Sequence, residues 1–247
     1  MKKRILAVFL ALGMLTCLLS ACGGATNQTS KSSDETSASS GQNSVDSEQN
    51  HANEITVGIA QDLDDSLDPY QMTAAGTREV MFNVFEGLVK PDSDGNFVDA
   101  VASEHSVSDD QLTYTFTLRD GVVFHNGAEC TVDDVLYSFE TCAATTVNSA
   151  VAEALSAIVD TKTEGNQISF TLSAPNSDFI SYVSNVYIVP EDYAEQATQP
   201  VGTGPFKYVS RSVQENVVLE KNADYYGEQA KLDKVTYKIF EDNTAMM

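Results

Sequence analysis

The sequence predicts a mixed α/β fold, because segments with the two-residue period of strands alternate with segments of helical period. The clearest strand covers Leu112–Leu118, where four apolar side chains alternate with three threonines. This pattern is typical of a half-buried strand in an antiparallel sheet. The clearest helix follows Thr131, where Val132, Val135 and Phe139 fall on one face. With 247 residues, the chain is long enough to bury a sizeable core.

The segment before the long strand adds one strand and one helix. Residues 55–59 alternate as a strand, and residues 77–89 are predicted to be a helix whose apolar side chains recur every four positions. Residues 91–96 and 108–111 carry turn-forming residues.

After the long strand, a hairpin and two helices are predicted. The strand breaks at Arg119–Gly121, resumes at Val122–Phe124 and turns at Asn126-Gly127. Thr131 and Asp134 match a capping box at the start of the first helix.

A second helix is predicted to begin at Asn148, with Val151, Leu155, Ile158 and Val159 on its inner face. The remaining elements are strands at 168–172, 186–189, 206–210, 217–220 and 235–240, and a short helix at 176–183. Gly202 and Gly204 flank a threonine, which predicts a positive φ or a close approach of the backbone. They do not form a phosphate loop, because no Gly-Lys-Ser/Thr is present and a proline follows.

The charge of the chain excludes one class of function. It has 14 basic and 36 acidic side chains, a net charge of −22. A surface this acidic repels the phosphate backbone, so the chain is predicted not to bind nucleic acid.

The first 21 residues have the pattern of a signal peptide. Three cations at residues 2–4 precede an apolar run at residues 5–19, which is short for a membrane span. The run ends in Leu19-Ser20-Ala21-Cys22, which resembles a bacterial lipobox, so Cys22 is predicted to be lipidated. An ordinary signal peptide cut nearby is the alternative. Residues 22–53 are polar and are predicted to be a disordered tether.

The residues usual in metal and catalytic sites form no recognisable motif. Cys130 and Cys142 would lie at opposite ends of the first helix, too far apart for a disulfide, so both are predicted to be free and buried. His125 and Cys130 offer two metal ligands where a closed zinc site needs four, so a structural role is predicted for His125. The aspartates of residues 61–70 leave calcium as an alternative, but they lack the spacing of an EF-hand. We therefore predict no catalytic residue, metal or cofactor.

Several motifs together resemble one known family. They are Leu67-Asp68-Pro69, Asn83–Val89, Asp94-Gly95, Leu112–Gly127, Thr131–Phe139, Val201–Phe206 and Asn222–Gly227. In this order, over residues 55–247, they resemble the extracellular solute-binding proteins of family 5, which serve ABC importers and include oligopeptide-, dipeptide- and nickel-binding members.

The resemblance implies two α/β lobes around a hinge, in a class C periplasmic-binding-protein-type fold. Residues 54–247 would form the first lobe, with a main part at 54–90 and 187–247 and an inserted part at 91–186. The second lobe would be missing, so we expect a fragment of about half a binding protein that binds peptides weakly or not at all.

The resemblance also places the solute on two segments of this lobe. The loop and helix start after the first motif supply Thr73, Gly76, Thr77 and Arg78, and the segment before the main part resumes supplies Asn185 and Tyr187. Arg78 would pair with a peptide carboxylate. The alternative is that Arg78 is solvated and Tyr187 belongs to the core. Arg119 is predicted to be a structural ion-pair partner.

The function implied is that of a lipoprotein on the extracytoplasmic face of the cell membrane. It would capture a peptide or related small solute and deliver it to the permease and ATPase subunits of an importer by lobe closure. The solute stays open among peptides, nickel complexes and sugars. The alternatives are a secreted acidic hydrolase, with its catalytic residues in the missing half, and a non-transport receptor with the same fold.

Overall fold

The computed structural model describes residues 53–240, so the predicted signal peptide, Cys22 and nearly all of the tether lie outside the described residues. In chain order the elements are β1 (Glu54–Ile59), α1 (Ala75–Met81), β2 (Val89–Pro91), β3 (Phe97–Asp99), β4 (Ala102–Val107), β5 (Thr113–Leu118), α2 (Val132–Ala144), α3 (Ser149–Leu155), β6 (Ile158–Glu164), β7 (Gln167–Leu172), α4 (Phe179–Val183), β8 (Phe206–Ser212), β9 (Asn216–Lys221) and β10 (Lys234–Ile239). Within this range, no helix is both long and apolar enough to span a bilayer.

One sheet joins the first and last strands of the described chain. Its order is β1-β10-β9-β8, with β1 and β10 parallel and the other neighbours antiparallel. The side chains of Val217 and Leu219 on β9 are fully buried on one face of this sheet. Because β1 and β10 run in the same direction, the loop that follows β1 leaves the sheet at the edge where β10 ends.

A second sheet is built from the residues between, in the order β4-β5-β7-β6, and all of its pairs are antiparallel. Strand β5 confirms the prediction from its sequence, with the aromatic side chains of Tyr114 and Phe116 buried and its threonines facing outward. The rings of Phe139 on α2 and Phe170 on β7 stack with centroids 4.3 Å apart, so α2 covers the buried face. The hairpin β2-β3 forms a separate two-stranded sheet.

The predicted capping box at the start of α2 is present. The Asp134 N–H donates to the Thr131 hydroxyl at 3.4 Å, and the Thr131 N–H donates to the Asp134 carboxylate at 2.8 Å. The second oxygen of that carboxylate accepts the Glu191 N–H at 2.9 Å. The cap therefore also holds the chain where it returns toward the first sheet.

The helix predicted over residues 77–89 ends at Met81. The carbonyl groups that would continue it have other partners, because Asn83 O accepts the Phe206 N–H at 3.1 Å and Val84 O accepts the Gly204 N–H at 3.0 Å. Val84 stays fully buried nevertheless. Tertiary hydrogen bonds thus replace helical ones while the apolar residues remain in the core.

The strand predicted at residues 186–189 is also wrong. The segment is mostly buried, but its N–H groups bond outside any sheet, Ile188 to Glu86 O at 2.9 Å and Val189 to the Ser138 hydroxyl at 3.0 Å. Three further differences are smaller. The resumed strand at 122–124 is one isolated bridge, between Val123 and Glu129.

The inner face predicted for the second helix extends too far. Helix α3 ends at Leu155, and the next residues enter the edge strand β6, where Val159 is 64% exposed. The short helix at 176–183 begins only at Phe179, because the Asn176 side chain accepts the Asp178 N–H at 3.0 Å and forms a turn instead.

Candidate functional site

A single aspartate closes the loop between β1 and α1. The Asp64 carboxylate accepts the N–H groups of Thr73 and Ala74, both at 2.8 Å, and the Thr73 hydroxyl at 3.0 Å. The Asp64 N–H donates to the Thr77 hydroxyl at 2.8 Å. Burial raises the pKa of the Asp64 carboxyl, but these hydrogen bonds lower it further, so it lies below its usual value. The loop is thereby fixed to the first turn of α1, which carries Arg78.

Arg78, Asn185 and Tyr187 line one shallow cleft of about 40 Å³, named here the Arg78 cleft. Tyr70 and Cys142 line it too, and the Tyr70 hydroxyl donates to the Tyr187 carbonyl oxygen. Three of the six predicted site residues, from two distant segments, therefore lie together.

The cleft contains the Arg78 guanidinium and two phenols, of which the Tyr70 hydroxyl already donates to the Tyr187 carbonyl oxygen. Arg78 is exposed, and its Nη2 donates to Thr73 O at 2.6 Å. Among residues 53–240 no carboxylate lies within ion-pair distance of this guanidinium, which has five N–H donors. Burial raises the pKa of Tyr187, and the nearby Arg78 charge only partly opposes this. A solute carboxylate would find donors here.

The other three predicted residues take local roles. The Thr73 hydroxyl is bound to Asp64, and Thr77 is 1% exposed, with its hydroxyl accepting a loop N–H. Gly76 lies exposed in the first turn of α1, with open space around the position of a Cβ. These side chains hold the loop, and in this structure none of the three lines the Arg78 cleft.

A larger cavity adjoins the cleft. It encloses about 550 Å³ and is named here the Phe82 cavity, after a side chain that is 59% exposed at the end of α1. Its apolar lining consists of Phe82, Phe85, Pro91, Phe97, Tyr187 and Pro205. Asn185 and Tyr187 line both spaces. A volume of this size with a mostly apolar lining is typical of a small-molecule pocket.

Sequence reasoning did not single out Phe82 or Phe97. Phe82 follows Met81 directly, so it falls off the apolar face that Val80 and Val84 would share in a helix. A large aromatic side chain out of phase with the apolar face was the available signal.

A charged cluster supports one wall of the Phe82 cavity. The Glu86 carboxylate accepts hydrogen bonds from Lys90 Nζ at 2.6 Å, the Tyr225 hydroxyl at 2.7 Å and the Tyr226 hydroxyl. Burial lowers the pKa of Lys90, but the Glu86 charge raises it further, so the ammonium is held above its usual value. The charges of Lys90 and Glu86 therefore balance each other at this wall.

Arg119 has a structural role, but within residues 53–240 its partners are carbonyl oxygens and an aromatic ring, not the carboxylate of the predicted ion pair. Its guanidinium donates to the carbonyl oxygens of Ala100 and Ala102, both at 3.3 Å, and lies 5.2 Å from the centre of the Tyr226 ring. These contacts join the second sheet to the turn after β9.

His125 holds the glycine segment between α4 and β8. The ring Nε2 of His125 is 2.9 Å from Gly204 O, and its Nδ1 is 3.4 Å from Gly202 N. The backbone N–H of His125 donates to Gly202 O at 2.9 Å. The neutral ring with the proton on Nε2 satisfies both contacts. Burial, together with the nearby Lys207 charge, lowers the pKa of His125 to about 4, although the Gly204 contact opposes this.

We expect His125 to make stability depend on pH. Its folded pKa, about 4, lies below the ordinary value of 6.5, so the unfolded state binds the proton more tightly. Stability is then full above pH 6.5 and falls toward pH 4, by about 3 kcal/mol at complete protonation of the unfolded state. Urea unfolding at several pH values measures this, with His125→Gln as reference because its amide does not titrate. Parallel pH profiles of the two proteins would contradict the prediction.

Cys130 and Cys142 are free and buried, as predicted. Burial raises the pKa of Cys142 to about 11 and also raises that of Cys130. In residues 53–240, no group of three His, Cys, Asp or Glu side chains could hold a metal ion. Three of the loop aspartates bind protein groups: Asp62 pairs with Arg211 at 3.0 Å, and the carboxylates of Asp64 and Asp68 accept backbone N–H groups.

A protein-family model matches more than half of the chain. The model described as "Bacterial extracellular solute-binding proteins, family 5 Middle" matches residues 96–247.

Comparison with curated proteins finds relatives that are longer than this chain. It is 30% identical over 189 residues to the glutathione-binding protein GsiB of Pectobacterium atrosepticum, covering 72% of this chain and 36% of that protein. It is 28% identical over 171 residues to the nickel-binding periplasmic protein of Escherichia coli, covering 65% and 33%. The chain thus spans about a third of the length of these relatives.

Two solved structures show the same relationship. The periplasmic binding protein DppA from Helicobacter pylori, in complex with the peptide STSA, has a TM-score of 0.69 and 28% identity, covering 78% of this chain and 44% of that one. AgaA from A. tumefaciens R10, in complex with agropinic acid, has a TM-score of 0.72 and 28% identity, covering 78% and 41%.

Proposed function

The chain belongs to the bacterial extracellular solute-binding proteins of family 5 and has a mixed α/β periplasmic-binding-protein fold; from this we propose that it binds a carboxylate-bearing solute, a peptide or a related small molecule, for an ABC importer. Proteins of this family bind their solutes without transforming them. The hydrolase alternative is therefore set aside.

The Arg78 cleft is the observation that carries this proposal. It places an exposed guanidinium beside Asn185 and Tyr187, on the two segments where the family resemblance places the solute. Arginine recognises carboxylates through paired N–H groups. One donor is used for Thr73 O, and the remaining donors serve the solute.

The solutes of the relatives are consistent with a carboxylate at this position. Similar proteins are described as binding glutathione, the peptide STSA and agropinic acid, each of which carries a carboxylate. The nickel-binding relative keeps a nickel complex as the alternative solute. We propose no resident metal or cofactor.

We further propose a membrane anchor and two partners. Lipid on Cys22 would hold the body at the extracytoplasmic face of the cell membrane, and residues 22–53 would be the tether. The permease and ATPase subunits of the importer would receive the solute after closure over the bound molecule. In this arrangement residues 54–90 and 187–247 form the main part of a lobe, and residues 91–186 its insertion.

A thermal-shift survey tests the function directly. A protein in which this chain is completed by the second lobe that the family resemblance implies is heated with di- to pentapeptides, glutathione and nickel–histidine at millimolar concentration, and with peptide amides that lack the terminal carboxylate. We expect at least one carboxylate-bearing solute to raise the Tm, because a ligand that binds only the folded state stabilises it. An unchanged Tm with every solute would overturn the proposal.

Replacing Arg78 by glutamine is expected to weaken binding of a carboxylate solute by about 10- to 100-fold, the range for losing a charge-assisted hydrogen bond. Isothermal titration measures the change. Lys162→Gln is the matched control, because Lys162 is exposed on β6 and pairs with Asp160. Equal losses in the two variants would show that Arg78 acts through overall charge and not through contact.

The anchor has its own test. In cells, Cys22→Ala is expected to move the protein from the membrane fraction to the soluble extracytoplasmic fraction, because the acylated side chain is lost. Immunoblots of both fractions measure this, with Cys142→Ala as control. Mass spectrometry that finds an unmodified Cys22 in the wild-type membrane fraction would contradict the proposal.

A further inference from the structure

The Phe82 cavity is too large for the carboxylate alone and has the wrong chemistry for it. Its volume is about 550 Å³, against about 40 Å³ for the Arg78 cleft. Aromatic rings and prolines account for six of its thirteen lining residues. A solute group that fills it gains by removing apolar surface from water.

Several polar groups around the cavity are already engaged, those of Glu86 and Asn83 among them. The Glu86 carboxylate has three donors, and its charge is balanced by Lys90 at 2.6 Å. The Asn83 amide donates to Val80 O at 2.9 Å and to the Tyr237 hydroxyl at 3.3 Å. Groups satisfied in this way offer little to a charged occupant, so the cavity favours an uncharged apolar one.

Helix geometry fixes the spacing between the two spaces. Phe82 lies four residues after Arg78, with helical φ and ψ, and its N–H donates to Arg78 O at 2.9 Å. The two side chains therefore lie on the same side of α1, about 6 Å apart along its axis. In an aromatic amino acid, the ring and the carboxylate on the same residue are separated by a comparable distance.

We propose that the Phe82 cavity is a side-chain subsite, which receives the aromatic or large aliphatic side chain of the residue whose carboxylate lies at Arg78. Asn185 and Tyr187, which line both spaces, form the wall between them. The solute class is then a peptide or N-acylated amino acid that ends in an apolar residue. This inference rests on the proposed function and deepens it.

Small probes test the subsite on the chain itself. N-acetyl-L-phenylalanine and N-acetyl-L-alanine differ only in the ring, and backbone amide chemical shifts follow their titration at millimolar concentration. We expect the phenylalanine probe to bind about 10- to 30-fold more tightly, as burial of a ring provides. We also expect the largest shifts at Gly87, Phe97 and Asn185.

Two variants make the test specific. Phe82→Ala is expected to remove most of the preference for the phenylalanine probe, and because Phe82 is largely exposed the variant should stay folded. Val213→Ala, at another exposed apolar residue beside the β8–β9 turn, should keep the preference. Equal affinity for the two probes, a preference retained in Phe82→Ala, or shifts confined to other regions would each overturn the inference. If a second copy of the chain covered the cavity, the probes would shift amides elsewhere, and this outcome would also overturn the inference.

Failure of this inference can be told apart from failure of the proposed function. If peptides raise the Tm of the completed protein without any preference for an apolar last residue, the subsite is wrong and the function stands. If no solute raises the Tm, the function fails, and the two probes still report on the cavity.

Discussion

Replacing Gly202 by alanine is expected to destabilise the protein by about 3–5 kcal/mol, more than overpacking typically costs, because the added methyl group meets backbone atoms. A Cβ at this position would lie 2.2 Å from Val84 O and 2.7 Å from the Phe85 ring. The Val84 carbonyl has no room to retreat, because it accepts the Gly204 N–H at 3.0 Å. The glycine is needed for space and not for its backbone angles, since its φ is not positive.

Chemical denaturation and the midpoint of thermal unfolding measure this loss. At this chain length, each kcal/mol corresponds to roughly 2–4 °C, so the Tm should fall by roughly 6–20 °C. Gly76→Ala is the matched control, because nothing lies within 4 Å of its Cβ position and it belongs to α1. There alanine should stabilise by about 0.5–1 kcal/mol through helix propensity. Equal effects at the two glycines would show that the close approach is not rigid.

The sequence predicted that the backbone approaches another group here, but it did not predict which group. The Gly-Thr-Gly pattern indicated a close approach, and the structure confirms it. The pattern does not identify the neighbour, because Val84 lies more than a hundred residues earlier. The same contact ends the helix predicted through residue 89. Local periodicity reports which side chains are buried, but it does not report which distant N–H groups will take their carbonyl oxygens.

Elements whose partners are close in sequence were predicted well. Strand β5 and the capping box at Thr131 depend on alternation and on a three-residue spacing, and both are confirmed. The segment at 186–189 depends on Ser138 and Glu86, neither of which is near in sequence, and it was assigned to a sheet in error.

The candidate site shows the same division. Arg78, Asn185 and Tyr187 were identified through the family resemblance, and the structure brings them together. Thr77 belonged to the same matched segment, but its hydroxyl is buried against the Asp64 N–H. Phe82 was missed because an exposed aromatic side chain becomes meaningful only beside the hairpin that carries Phe97.

Replacing Glu86 by glutamine is the second change with a large expected effect, about 2–3 kcal/mol of lost stability, which is less than for a fully buried ion pair because the Lys90 side chain is 40% exposed. The carboxylate is buried, and it accepts the Lys90 ammonium and the hydroxyls of Tyr225 and Tyr226. Glutamine keeps one acceptor oxygen but brings an NH₂ group against donors, which leaves polar groups unpaired. The hydrogen bonds that are lost connect two distant parts of the chain, since the tyrosines follow β9 and Glu86 follows α1.

Three measurements separate this cluster from a general charge effect. Glu79→Gln, at an exposed residue of α1, should change stability by less than about 0.5 kcal/mol. Tyr226→Phe alone should cost about 1 kcal/mol and should cost less when Glu86 is already glutamine, because the two side chains share one hydrogen bond. The pKa of Lys90, followed through its side-chain NMR signals, should fall in Glu86→Gln, because the carboxylate that raises it is gone while burial remains. An unchanged Lys90 pKa, or strictly additive losses, would mean that the ion pair and the tyrosine hydrogen bond do not form in solution.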